Sequence, residues 1–210
     1  MGYVVTFILG FLLSGVWFGC HIFIRQQIAK RKLAKLDMFS PLLSAIIPTV
    51  IIFLITQTHP FHVSAIKNYR LWLVALTTVL VVSLIKIMLS HMEAVSETDG
   101  TISSKCMEAA LMEIPQRTMM QTFLCLMLSY GGLDIVWAIF INACVWVLDI
   151  VVQAYIFRQR NYYEIFVDIL ASFVFSIGIG YVYFVSEFIV ISMSAHALER
   201  YIVTKVKSRK

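Results

Sequence analysis

Apolar residues run along this chain in long unbroken stretches, and the polar positions between them are few and clustered. A stretch of about 18 or more apolar residues suits a helix crossing a hydrocarbon core of about 30 Å. The pattern predicts seven such helices, at about Tyr3–Phe23, Pro41–Ile55, Leu71–Leu89, Cys106–Leu128, Leu133–Phe157, Ile165–Val185 and Glu187–Val203. Pro48 falls inside the second, and Gly131-Gly132 punctuates the hairpin between the fourth and fifth. Continuous runs argue against a membrane β-barrel, whose strands read as short alternating segments. No A-x-A-like site follows the first stretch, so it reads as a retained helix and not a cleaved leader. The fold class expected is all-α, a polytopic transmembrane helical bundle of about seven spans, with no internal repeat and no low-complexity linker.

Composition strengthens this reading. Hydrophobic residues make up 60% of the chain and charged residues 14%, against about 25% charged in soluble domains. The charges also set an orientation. Arg25–Lys35 and Arg200–Lys210 are strongly basic, and Arg158 and Arg160 follow the fifth stretch, while the alternate loops hold only Lys67 and Arg70. The excess of Lys and Arg on cytoplasmic loops predicts an outside N-terminus and a cytoplasmic C-terminus. Ser90–Lys105 is mildly acidic yet falls on the cytoplasmic side, which the rule tolerates because acidic residues count little. The net charge of +5 then faces anionic membrane lipid. Nucleic acid fits that charge less well, since no folded basic domain carries it. Cys20, Cys106, Cys125 and Cys144 lie in or at the ends of spans without a C-x-x-C pair. They read as small packing residues, not a disulfide framework.

Polar groups inside the membrane are costly and usually face a cavity or a partner. Glu113 and Arg117 stand four apart in the fourth stretch, on one helix face where they can pair, with Pro115 loosening the helix between them. Such a pair serves equally as packing glue. His196 lies among small residues in the seventh stretch, about as far from its cytoplasmic end as Glu113 lies from its own. Asn142, Cys144 and Asp149 of the fifth stretch reach a similar or somewhat deeper level. The expectation is one cavity lined by Glu113, Arg117, Cys144 and His196.

These residues carry a resemblance. Glu113 to Arg117, preceded by Met112, resembles the Glu-Glu-x-x-x-Arg motif of the CPBP family of CAAX-type and bacteriocin-processing intramembrane endopeptidases. His196 to Arg200, after the stretch Gly178–Tyr183, resembles that family's last motif, His-x-x-x-Asn. The middle motif, Phe-x-x-x-His, falls on Phe140 to Cys144. The resemblance covers roughly 106–203, a four-helix core between three N-terminal helices (1–105, with the basic segment 25–35) and a basic tail (204–210). It implies an intramembrane peptidase fold in a bacterial cell membrane, in which the first glutamate activates water, two histidines assist and asparagine holds the oxyanion. Here Met112 replaces that glutamate, Cys144 the middle histidine and Arg200 the asparagine, while Glu113, Arg117 and His196 match.

Two functions follow from different classes. In one, the chain keeps the fold and a polar cavity and binds a peptide or transmembrane protein as a scaffold, regulator or immunity-like factor. In the other, it is an active endopeptidase with Glu113 or, less favoured, Asp149 as base, His196 as helper and Cys144 as a nucleophile. Glu113, Cys144 and His196 have acceptable ligand types for a metal, but three scattered ligands make a poor site, and no cofactor is implied. A transporter would show repeat symmetry or paired broken helices, which the sequence lacks.

Overall fold

The computed structural model describes residues 2–57, 60–90 and 98–208. The chain is all-α there. Helices α1 (Tyr3–Lys30), α2 (Ser40–Thr56) and α3 (Tyr69–Leu89) are followed by one long rod. That rod comprises α4 (Asp99–Glu113), a π-helical segment (Ile114–Gln121) and α5 (Thr122–Tyr130). Then come α6 (Trp137–Ile156), α7 (Tyr162–Ser186) and α8 (Ile189–Lys207). Among the described residues this makes seven rods. Five helices are long and apolar enough to cross a membrane: Tyr3–Lys30, Leu36–Thr56, Tyr69–Leu89, Trp137–Ile156 and Tyr162–Ser186. The protein is a multi-pass membrane protein by that criterion. The rod of the fourth stretch does not meet it, because its α-helical pieces are only 15 and 9 residues long and Glu108, Glu113 and Arg117 interrupt it. Helix α8 does not because it carries Glu199, Arg200, Lys205 and Lys207.

Successive rods alternate in direction. At one end Tyr3 meets Trp137 edge-on at 5.9 Å, and Phe61 pairs across a β-bridge with Phe188. At the other, Arg25 binds Asp37 at 2.6 Å, Ser90 donates to Glu164 at 2.8 Å, and Lys207 donates to Ser90 at 2.7 Å. Residues 91–97 of the acidic Ser90–Lys105 stretch lie outside the described residues.

The bundle is apolar outside. Val16, Ile47, Leu54 and Leu84 are exposed, whereas Thr6, Ser14, Ser40, Thr78 and Ser176 are buried. Against lipid there is no hydrophobic gain from sequestering leucine, so small and hydroxyl-bearing residues take the helix contacts. Two apolar clusters result. One joins α1, α2, the π-helical segment, α5 and α6 through Trp17, Ala45, Met120, Leu124, Ile141 and Trp146. The other joins α3, α7 and α8 through Val79, Val82, Phe175, Ile179, Ile191 and Ala195.

Gly178 shows how closely α3 and α7 approach, since a Cβ there would collide with the Thr78 side chain. Gly178→Ala should therefore lower stability by about 1–3 kcal/mol, the usual cost of overpacking. Adding Thr78→Ala should recover most of the loss. Thermal denaturation in detergent checks both, and a harmless Gly178→Ala would disprove the close approach.

Candidate functional site

The rod from Asp99 to Tyr130 supplies the site's backbone. Pro115 has no N–H to give to an α-helical turn, and the helix widens from Ile114 to Gln121. Thr122 N–H bonds back to the Arg117 carbonyl, five residues earlier, as a π turn requires. Glu113, Arg117 and Gln121, four apart, thereby stay on one buried face. Side chains reinforce the wide turn, with Thr118 Oγ1 donating to Ile114 O at 2.7 Å and Thr122 Oγ1 to Arg117 O at 3.3 Å.

On that face a polar chain runs between the two apolar clusters. His196 Nδ1 lies 2.7 Å from Glu113 Oε1, and Arg117 Nε donates to Glu113 Oε2 at 3.0 Å. Arg117 Nη1 also reaches Gln121 Oε1 at 3.3 Å and the Ser176 carbonyl at 3.3 Å. Gln121 Nε2 donates to Gly180 O at 2.8 Å. Gly180 eases this approach, because a Cβ would come within 3.2 Å of Arg117 Nη1 and 3.3 Å of Gln121 Oε1. Asn142 donates to Gln116 O at 3.2 Å and ties α6 to the same turn. Glu113 and Arg117 are both fully buried, 0% exposed. Each carboxylate oxygen has a partner, the condition under which a buried charge is tolerated.

Beside this chain, towards the end of the bundle that carries Arg25 and Lys207, opens a cavity of about 400 Å³. Met112, Gln116, Ser176, His196, Glu199 and Arg200 are among the residues that line it. His196 is thus the link between the buried carboxylate and the cavity. Its Nδ1 donates to Glu113, which leaves Nε2 as the imidazole's open nitrogen. Glu199 is 1% exposed and pairs with Lys86 at 3.0 Å across α3 and α8.

Of the residues expected to share a cavity, the structure brings together Glu113, Arg117 and His196. Only His196 lines the cavity, however, while the other two lie buried behind its wall. Cys144 takes no part. It makes none of these hydrogen bonds and is not among the lining residues, because α6 turns Asn142 and Trp146 inward instead. Asp149 is occupied elsewhere, accepting from Ser14 of α1. Among the described residues no three His, Cys, Asp or Glu side chains converge as metal ligands. Gln121, Ser176, Lys86 and Glu199 escaped the sequence reading. Gln121 continues the four-residue spacing of Glu113 and Arg117 and could have been found by it. No family model matches the chain, and neither does any curated protein or solved structure.

The pair's energetics are testable. Arg117→Ala should cost about 3–5 kcal/mol, since it strands a buried carboxylate. Arg117→Met combined with Glu113→Gln should cost less than the two single changes together. Thermal stability in detergent reads both, and a neutral Arg117→Ala would show that the pair is solvated.

Proposed function

We propose that this protein is a CPBP-like, seven-span intramembrane protein whose peptidase site has lost its chemistry and which holds a peptide or transmembrane partner at the cavity beside His196. One observation carries the reading: Met112 lines the cavity while Glu113, its neighbour, is buried and bound to Arg117. Consecutive helix positions differ by about 100°, so the carboxylate sits one residue out of register with the cavity. Methionine cannot take a proton from water, and a carboxylate held by a guanidinium is a poor base. The cavity keeps donors and acceptors suited to a peptide backbone, including Gln116, Gln153 and Ser176.

A second reading has its own observation. Glu113 can orient His196 through the 2.7 Å contact at Nδ1, leaving Nε2 as a base for water in the cavity, a division of labour that occurs in hydrolytic triads. Arg117 competes for the same carboxylate and weakens that arrangement. Coexpression with the products of neighbouring genes, followed by mass spectrometry, separates the two. The expected result is no processing by wild type. Cleavage by wild type that vanishes in both folded Glu113→Gln and His196→Ala variants would establish the endopeptidase instead.

The topology belongs to the same proposal. Seven alternating rods crossing once each put Arg25–Lys35, Arg158, Arg160 and Lys205 at one end and Lys67 and Arg70 at the other. The richer end faces the cytoplasm, with the N-terminus outside. Reporter fusions at Lys210 and in the Lys67–Arg70 loop should label opposite sides, and labelling on one side would eliminate the seven-span arrangement.

A further inference from the structure

The cavity beside His196 has a feature that peptide chemistry does not use. Its acidic residues are engaged: Glu199 by Lys86 at 3.0 Å, and Glu108 by Arg25 at 3.6 Å from outside the cavity. Arg200, on the cavity wall, makes no hydrogen bond or ion pair among the described residues. It stands one turn beyond His196 on α8, so guanidinium and imidazole share a helix face. Glu199 and Asp168 lie within the electrostatic reach of Arg200 without bonding to it. A guanidinium with free donors in a wall that also carries Val82, Ala109, Trp146 and Phe175 suits an anion attached to something apolar.

A second cavity, of about 520 Å³, adjoins the first and shares with it Glu108, Met112 and Gln153. Its far side joins aromatic and aliphatic Trp17, Phe18, Ile22 and Phe157 to the polar His21, Arg25 and Gln26. The partition between the chamber with Arg200 and the one with the aromatic wall therefore includes the flexible, unbranched side chain of Met112. Both chambers have the size of ordinary ligand sites, about 300–1,000 Å³. Both lie in the half of the bundle where the basic residues concentrate, and basic pockets between membrane helices take anionic headgroups.

We propose that the two chambers together bind one anionic phospholipid, its phosphate held by Arg200 and His196 and an acyl chain lying past Met112 against Trp17, Phe18 and Phe157. Arg200 supplies the charge-assisted, two-pronged contact that phosphate oxygens accept. The site shares His196 and its cavity with the peptide partner proposed above, so lipid and peptide compete for it, and the lipid assignment itself uses neither Glu113 nor a reaction.

The test uses the full chain purified in neutral detergent and stripped of lipid, with phosphatidylglycerol, phosphatidylcholine and inorganic phosphate each added back. Native mass spectrometry reads the bound mass and thermal denaturation the stabilisation. The expected result is one phosphatidylglycerol per chain, with Arg200→Gln weakening it about ten-fold or more and Arg200→Lys retaining most of the affinity. Circular dichroism and a monodisperse elution profile verify that the variants fold, and Lys67→Gln with Arg70→Gln, at the opposite end, should change nothing. Equal retention of phosphatidylcholine, or full retention by folded Arg200→Gln, would overturn the site. So would a full thermal shift from inorganic phosphate without lipid retention, which would make the occupant a soluble anion.

Discussion

The Glu113 carboxylate, shared between Arg117 and His196, is the contact on which the bundle's specificity rests. The two apolar clusters, one on α1, α2, α5 and α6 and the other on α3, α7 and α8, could meet in many ways. Between apolar helix faces in lipid nothing but packing distinguishes one arrangement from another. The carboxylate removes that freedom. It draws His196 of α8 to 2.7 Å and, through Arg117, reaches the Ser176 carbonyl of α7 at 3.3 Å. A buried charge tolerates few geometries, since a missing partner costs several kcal/mol. The polar chain therefore acts as a register mark between two otherwise slippery surfaces, and it does so at the cost of desolvating two full charges.

That mark depends on a departure from ordinary helix geometry. In an α-helix, residues four apart drift around the axis, and a row of three would splay. The π-helical segment takes out much of that drift over Glu113, Arg117 and Gln121, and its wider turn is stabilised by Thr118 and Thr122 hydroxyls bonding to earlier carbonyls. The opposing helix has to yield space for the row, and Gly180 does so by lacking a side chain where Arg117 and Gln121 pass. Proline on one helix and glycine on the other are thus two halves of one fit, linked by the arginine between them.

How much of this was legible in the sequence follows from what each signal encodes. Apolar runs encode burial in lipid, so α1, α2, α3, α6 and α7 were readable to within a few residues, except that α1 continues through its basic residues to Lys30. The rod around Glu113 and the last helix are long in the structure but charged, so composition blurs them. The i, i+4 spacing encodes the Glu113–Arg117 pair directly, and equal depth brought in His196. Depth says nothing about direction around a helix, and that is where Cys144 was misplaced. It lies two residues from both Asn142 and Trp146, about 200° away around α6, and those two face inward. The Lys86–Glu199 pair was invisible for a different reason, because it joins two helices far apart in the sequence and no spacing rule encodes such a pair.

The same geometry limits where chemistry can occur. Glu113 is fully buried and absent from the cavity wall, so a molecule in the cavity does not touch its carboxylate. What touches the cavity is methionine from the neighbouring position and imidazole from across the seam. Any influence of the buried charge on a bound molecule therefore passes through His196, whose open nitrogen feels the carboxylate at the other side of the ring. That coupling is geometric: a molecule held at Nε2 fixes the ring, and a fixed ring keeps its contact with Glu113. Binding in the cavity and strength of the seam between α4 and α8 are then linked, and by reciprocity a tighter seam improves binding. On this account Glu113, Arg117 and His196 have a role in the bundle that needs no reaction.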